Sequence, residues 1–472
     1  MKKILIYIFF LNGLFSLGQT YPSQNIDLLS LIDPNTSTLT IGPDGRKYAG
    51  CWGWHQTSTN KEYAIACGSN GTYFIDVTSP ATPSVCAFVP GRGSATNREA
   101  KTYQNYCYVV CDEAAPNTFQ IIDMSTLPAT VTLVHDDKTY FERAHTIFIE
   151  QDKMYIGLAT YSTGISSPMN IYSLVNPIAP VLLREIKQDI PLINTVHDMF
   201  VRTDTIYASC GYQGLYVLKL NANNTLSQIG SYTGYAVSGA FNHSSMLTQD
   251  GKYLIFCDET QSFPIRLIDV QNLNNIQPIQ TWLPFTNAIA HNPYLIGNKW
   301  AIVSCYQDGL YIYDISQPGN ASQVGFFDTH PQGGGNIGAG GNYFNELYRG
   351  NWGAYPYLPS GILIATDMQS GVFIFDPTNA YNNQVGIKNN SIKNADLLIY
   401  PNPASNYISI NYSSSSKSKL SIINMFGEIV FENEYFGNIK DAIDIRTFLN
   451  GAYLVIFSEG ERKSYKKLII QH

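Results

Sequence analysis

A short apolar run closed by a polar residue recurs seven times along this chain, and no other feature of the sequence constrains its fold as tightly. The copies read TYFIDVTSP, FQIIDMS, NIYSLVNP, LYVLKLN, IRLIDVQN, LYIYDISQP and VFIFDPTN, with the closing position at Asp76, Asp123, Ser173, Lys219, Asp269, Asp314 and Asp376. Successive closing positions lie 47, 50, 46, 50, 45 and 62 residues apart, the last interval being stretched by a Gly-rich insertion around Gly333 to Gly341. The clearest unit begins at His291 and reads as four short strands: HNPYLIG, KWAIVSC, LYIYDIS after a YQDG turn, and QVGFFDT. Four strands in such a span is the size of one propeller blade. Leu310, Tyr311, Ile312 and Tyr313 are apolar on both faces of their strand, so both faces must be covered. Neighbouring blades in a ring do this, whereas the rungs of a β-solenoid are shorter than these repeats. The closing Asp suits a side chain that accepts the backbone N–H groups of the following turn.

The expected fold is therefore all-β: a seven-bladed β-propeller over residues 20–380, followed by a small β-sandwich. Residues 381–394 are Asn-rich and polar, as in a linker. Residues 395–472 return to alternating strands, with tight turns at Phe426–Gly427 and Asn450–Gly451. At the other end, Lys2 and Lys3 precede an apolar stretch from Ile4 to Leu17. That is the shape of a signal peptide over 1–19, too short for a comfortable membrane span. No later segment is apolar enough to span a bilayer, so no transmembrane span is expected in the mature chain. The net charge of −7 provides no basic excess to neutralise phosphates, which argues against nucleic acid as a partner.

Eight Cys in an exported chain raise the question of disulfides. Cys67, Cys111, Cys210, Cys257 and Cys305 each close a short apolar run, at one slot of the repeat. A residue type recurring at one slot has a packing role, so these five are expected to be small buried hydrophobes. Cys51 and Cys86 are the best candidates for a bridge.

Aligning the first strand of each repeat puts His55, His145, His197, His243 and His291 in one position, with Arg98 and Asn351 as its equivalents in the second and seventh repeats. The distances to the Cys closing the next strand are 12, 13, 14 and 14 residues for His55, His197, His243 and His291. In an antiparallel blade the start of the first strand and the end of the second share one face. The ends of the second strands carry Asp112 and Glu113, and Asp258 and Glu259, while Asp308 lies in the turn of the sixth repeat. A ring of imidazoles and carboxylates at one mouth of the channel is a ligand set for a divalent transition metal. It is also an acid–base set. The plainer reading is a ring of His that hydrogen-bonds backbone and water. The match of Gly333, Gly335 and Gly338 to G-x-G-x-x-G lacks a strand–turn–helix frame and carries no weight. Trp52, Trp54 and Trp352 are a candidate carbohydrate platform.

Two family resemblances accompany these readings. The tail resembles the C-terminal sorting domain of type IX secretion, found in Bacteroidetes. The matching residues are Tyr400-Pro401-Asn402-Pro403-Ala404, Ile423-Asn424-Met425-Phe426-Gly427, Leu449-Asn450-Gly451 with Tyr453, and Lys466-Lys467-Leu468-Ile469-Ile470. The resemblance implies handling by the type IX machinery and delivery, by way of the periplasm, to the outer cell surface or the medium. The repeat region resembles the LVIVD-repeat surface propellers of the choice-of-anchor B family, through Glu62-Tyr63-Ala64, Arg98 with Lys101, Ala144-His145, His197-Asp198, His243, Ala290-His291-Asn292 and Phe326-Phe327-Asp328-Thr329. That resemblance implies location and fold but no activity, and Ser173 and Lys219 depart from its closing Asp. Together these readings imply a secreted or cell-surface binding protein whose ligand is a metal, a glycan or a protein. The alternative is a metal-assisted hydrolase or lyase using the same His cluster.

Overall fold

The computed structural model describes residues 21–36, 45–113, 116–235, 239–336, 343, 348–382, 398–412, 417–424, 428–437, 439–459 and 462–472. The signal-peptide segment 1–19, most of the linker and the Phe426–Gly427 turn lie outside these residues. The chain separates into two compact units, Met1–Val385 and Gly386–His472.

Among its described residues the first unit contains seven antiparallel sheets, whose strands follow one another in chain order except for one strand each that the sixth and seventh take from the N-terminal end. The seven first strands are Tyr48–Gln56, Arg98–Tyr103, Thr146–Glu150, Asp198–Arg202, Asn242–Leu247, Pro293–Ile296 and Asn351–Tyr355. Each closing position of the repeat lies at or next to the end of a third strand. There the side chain does the work expected of it. Asp76, Asp123, Asp269, Asp314 and Asp376 accept the N–H two residues on at 3.0, 2.8, 2.9, 2.8 and 2.9 Å. The Ser173 hydroxyl accepts that of Val175 at 3.3 Å. Lys219 cannot accept and instead donates to the Thr203 carbonyl at 2.8 Å.

The core is not one mass but a series of layers, one between each sheet and the next. Tyr63, Ile65 and Phe74 of the first sheet pack on Val109 and Ile122 of the second. The series runs through to the sixth and seventh sheets, where Ile302 and Ile312 meet Ala365 and Phe373. It then returns to its start: Ile364, Val372 and Ile374 of the seventh sheet pack on Tyr48, Ala66 and Ile75 of the first. The sheets thus form a closed ring, and the two-faced apolar runs are covered on both sides.

The ring is closed by a segment whose role the repeat pattern did not disclose. The seventh sheet takes its fourth strand, Asp27–Ile32, from the N-terminal end of the unit. Asp27 pairs with Asp376 and Ile32 with Val372. Just before it, Ser23–Gln24 adds a fifth strand to the sixth sheet. Ile26, between the two, is 2% exposed.

All eight Cys are free. The Cys51–Cys86 bridge does not form, because Cys51 is on the first strand of its sheet and Cys86 on the fourth. Three interstrand spacings, about 14 Å in all, separate them, beyond the reach of a disulfide. Cys67, Cys111, Cys210, Cys257 and Cys305 are all buried.

The second unit has a three-stranded sheet (Leu398–Tyr400, Tyr407–Tyr412, Ile439–Asp444) and a four-stranded one (Ile429–Phe436, Lys417–Ile423, Gly451–Glu459, Arg462–Ile470). Alternate residues on their strands, Ile408 and Ile410, Leu420 and Ile422, Val455 and Phe457, Leu468 and Ile470, enter one shared core. Asn402 ties the strand start to the last strand: its amide donates to the Lys467 carbonyl at 2.7 Å and accepts from the Ile469 N–H at 2.8 Å.

If the N-terminal segment holds the ring shut, Ile26→Ala should destabilise the first unit by about 2–5 kcal/mol in urea unfolding. Val175→Ala, at a side chain 77% exposed, should change stability by no more than about 0.5 kcal/mol.

Candidate functional site

Four of the imidazoles stand side by side around the ring. Each lies within two residues of the start of the first strand of its sheet, and the curvature of the ring stacks it on the next. Ring centroids are 4.0 Å apart for His145 and His197, 4.4 Å for His197 and His243, and 4.3 Å for His243 and His291. His291 ends the series against Tyr306 at 4.5 Å and Trp352 at 4.9 Å. All but His145 are more than nine-tenths buried.

The hydrogen bonds define which nitrogens remain free. His197 Nδ1–H donates to the His243 carbonyl at 3.4 Å, and His291 Nδ1–H donates to the Trp352 carbonyl. A ring that spends its Nδ1 proton on a carbonyl presents an unprotonated Nε2, the form that ligates a metal. Glu259 lies opposite: its carboxylate is 3.6 Å from His243 Nε2 and 3.8 Å from His291 Nε2, and it accepts from the Tyr306 hydroxyl at 2.5 Å. One ligand atom each from His197, His243 and Glu259 lies within 4.8 Å of the others. A tetrahedral zinc site holds its donors about 3.3–3.5 Å apart, so the three would draw in by roughly an ångström. Burial, reinforced by the neighbouring His, pushes His197 and His243 well below the usual imidazole range. Burial also takes His291 down to about 3. The cluster is a set of neutral donors.

His145 is stacked in the series but differs in charge. Burial works against its protonation, yet Asp112, 2.9 Å from Nδ1, outweighs this and raises its pKa. His145 pairs with Asp112 at the edge of the cluster, and neither is among the three donors.

Five further candidates direct their side chains elsewhere, although the Asn351 backbone pairs with that of Tyr306. His55 is at the far end of its strand, opposite Glu62, and its Nε2 meets Asn60 at 3.1 Å in an exposed turn. The spacing of His55 to Cys67 misled because its hairpin turns at residues 57–60, one residue beyond His55, and the strand itself begins back at Tyr48. Glu113 turns away to accept the backbone N–H groups of Thr96 and Asn97 at 2.6 and 3.3 Å. Asp258 is fully buried, bound to Arg266 at 3.2 Å and the Tyr235 hydroxyl at 2.8 Å. Arg98, 1% exposed, donates to the carbonyls of Gly68 and Gly93, both at 3.3 Å. Asn351 bonds the Thr366 carbonyl at 3.1 Å, a backbone role. The Trp platform is also absent: Trp54 and Trp352 are each 7% exposed, and Trp52 is packed edge-on to Tyr355.

Tyr306 is the site residue that sequence reasoning missed. It directly follows Cys305, as Asp112 follows Cys111 and Asp258 follows Cys257, so the same alignment contains the signal. Its φ of +46° is unusual for a side chain of this size. Asp308, in the same turn, leaves the cluster and holds the Gly-rich segment, accepting Gly335 N–H at 2.7 Å and the Tyr343 hydroxyl at 3.0 Å.

Residues 398–471 match the family model described as the secretion system C-terminal sorting domain. The C-terminal unit is a type IX secretion sorting domain. The protein is therefore exported to the cell surface or secreted. Among the described residues no helix is long and apolar enough to cross a membrane. No curated protein matches the chain. Among solved structures, the WD40 β-propeller domain of Doa1 is similar at 9% identity, covering 75% of this chain and 97% of its own, with a TM-score of 0.49. The computationally designed Ika8 protein is similar at 8% identity, covering 94% and 100%, with a TM-score of 0.41. Neither reaches a TM-score of 0.5, and the ring described above stands on its own strand contacts.

The burial of Asp308 has a consequence for pH. Burial raises its carboxyl to about 6, against the lowering effect of its two donors. A raised carboxyl stabilises the fold below the ordinary pKa of about 3.9 and loses that contribution as pH climbs through 6. Relative to Asp308→Asn, the wild type should lose on the order of 2–3 kcal/mol between pH 4 and pH 7.5, read from urea midpoints at the two pH values.

Proposed function

We propose that this protein is an exported, propeller-type binding protein that holds a divalent transition metal at the mouth of its channel. In this reading the seven sheets are the blades of a β-propeller over residues 20–380, of the choice-of-anchor B type. Residues 1–19 direct the chain to the periplasm, 381–394 are a linker, and 395–472 present it to the secretion machinery. The ligands are His197, His243 and Glu259, with His291 beside them and Tyr306 orienting the carboxylate.

One observation carries this reading: the Nε2 atoms of His243 and His291 face the Glu259 carboxylate at 3.6 and 3.8 Å, His197 brings a ligand atom within 4.8 Å of those of His243 and Glu259, and no Lys or Arg neutralises that carboxylate among the described residues. Buried donors of this kind are costly to leave unsatisfied, and Nδ1 of His243 has no partner among the described residues. A borderline cation with nitrogen and oxygen ligands satisfies the set.

The purified chain, loaded with zinc or manganese and desalted, should retain close to one equivalent by elemental analysis. His243→Ala and Glu259→Gln should each weaken retention by about 10-fold or more, while His55→Ala should not. A protein that stays metal-free after loading with either ion refutes the reading.

A further inference from the structure

A second cluster of charge lies next to the imidazoles, on the first strands of the second and fourth sheets. Glu99 and Asp198 both approach the Thr146 hydroxyl, Glu99 at 2.9 Å and Asp198 at 3.3 Å. A hydroxyl has one proton, so it cannot serve both carboxylates at once. Glu99 gains a second donor from the Ile147 N–H at 3.3 Å and a counter-ion in Lys101, whose Nζ is 3.8 Å away. Asp198 receives only the Met199 N–H and its share of Thr146, both on Oδ1. Among the described residues its Oδ2 has no hydrogen bond and no ion pair.

These carboxylates line a cavity of about 60 Å³ to which the first strands of all seven sheets contribute. Ser245 lines the same cavity, is 7% exposed, and leaves its hydroxyl without a partner. A buried hydroxyl left unmatched in a polar cavity marks a place where a ligand or water completes the bonding. At about 10–15 Å³ per water-sized centre, the volume takes roughly four to six such centres. It excludes a monosaccharide and admits a compact ion.

Lys101 shows which ion suits the site. Its Nζ lies between the Glu99 carboxylate and the face of Trp52, 4.4 Å from the ring centroid. The remaining walls include Phe148, Phe200 and Tyr294. Lys101 already serves Glu99, which leaves Asp198 as one carboxylate without a counter-ion; a single positive charge balances it whereas a divalent metal does not, and aromatic faces and a carboxylate together bind organic cations. We propose that this cavity is a second ligand site, which takes a short-chain primary ammonium with Asp198 as its counter-ion and the Ser245 hydroxyl as a further partner. The inference does not rest on the metal reading, because none of these groups is one of the proposed metal ligands.

The test is calorimetric titration of the full chain, in the presence of a chelator, with n-propylammonium chloride, n-propanol, calcium chloride and magnesium chloride. Propylammonium should bind saturably and propanol about 10-fold or more weakly, as expected for loss of a charged hydrogen bond. Asp198→Asn should remove the preference, Ser245→Ala should weaken binding, and His55→Ala, in an exposed turn, should leave it unchanged. Equal binding of propanol overturns the proposal in the wild type alone, whatever the folding of the variants. So does unaltered binding to a folded Asp198→Asn protein, or calcium or magnesium binding that Asp198→Asn abolishes. Loss of zinc retention with propylammonium binding intact refutes the metal reading only.

Discussion

Pairing between Asp27–Ile32 and Gly371–Asp376 joins segments from opposite ends of the first unit, and the ring depends on it. The first five sheets are built from consecutive strands, so each forms from local contacts. The sixth gains only the two-residue strand Ser23–Gln24 from the N-terminal end, whereas the seventh takes its whole fourth strand from there, a strand that precedes the first sheet in the chain. The entropic cost of bringing such distant segments together grows only with the logarithm of their separation. The return is the burial of Ile26 and of the layer in which Val372 and Ile374 meet Tyr48 and Ile75. Without closure, that layer would present a large apolar face to water.

The imidazole cluster is a product of the same closure. No sheet contributes more than one His to the stack, and each ring is held in place by its neighbour across a sheet boundary. His197 bonds the backbone of the fifth sheet, and His291 that of the seventh. Their low basicity comes from the packing that stacks them: burial disfavours the charged form, and adjacent rings add to the effect. The ring therefore supplies both the geometry of the donors and their neutral state. His145 escapes because Asp112, one residue beyond the end of a neighbouring second strand, supplies a compensating charge.

The repeat was legible because its signal is periodic and redundant. The third strands end at or beside the closing positions that the sequence marks, and five Asp and one Ser make the turn bonds that their chemistry suggests. The position of His145, His197, His243 and His291 was legible for the same reason. His55 was misplaced because a residue count from His to Cys does not record where a hairpin turns, and a turn beginning after Gln56 puts His55 at the opposite end of the strand. Asp258 shares its slot with Asp112, yet Arg266 and Tyr235 draw it away. The separation of Cys51 from Cys86 follows from strand order alone.

Sequence by itself determined the all-β class, the seven repeats, the turn chemistry of the closing Asp residues, the buried Cys slot and the sorting tail, because each is written in local pattern. Tertiary structure decided which strand completes the seventh sheet, which of the aligned His and carboxylates meet, and that Tyr306 orients Glu259. It also decided that Glu99 and Asp198 compete for one hydroxyl beside an unmatched Ser245. These outcomes depend on distances between residues far apart in the chain. Such distances are set by the closing of the ring and by competing partners, neither of which any single repeat encodes.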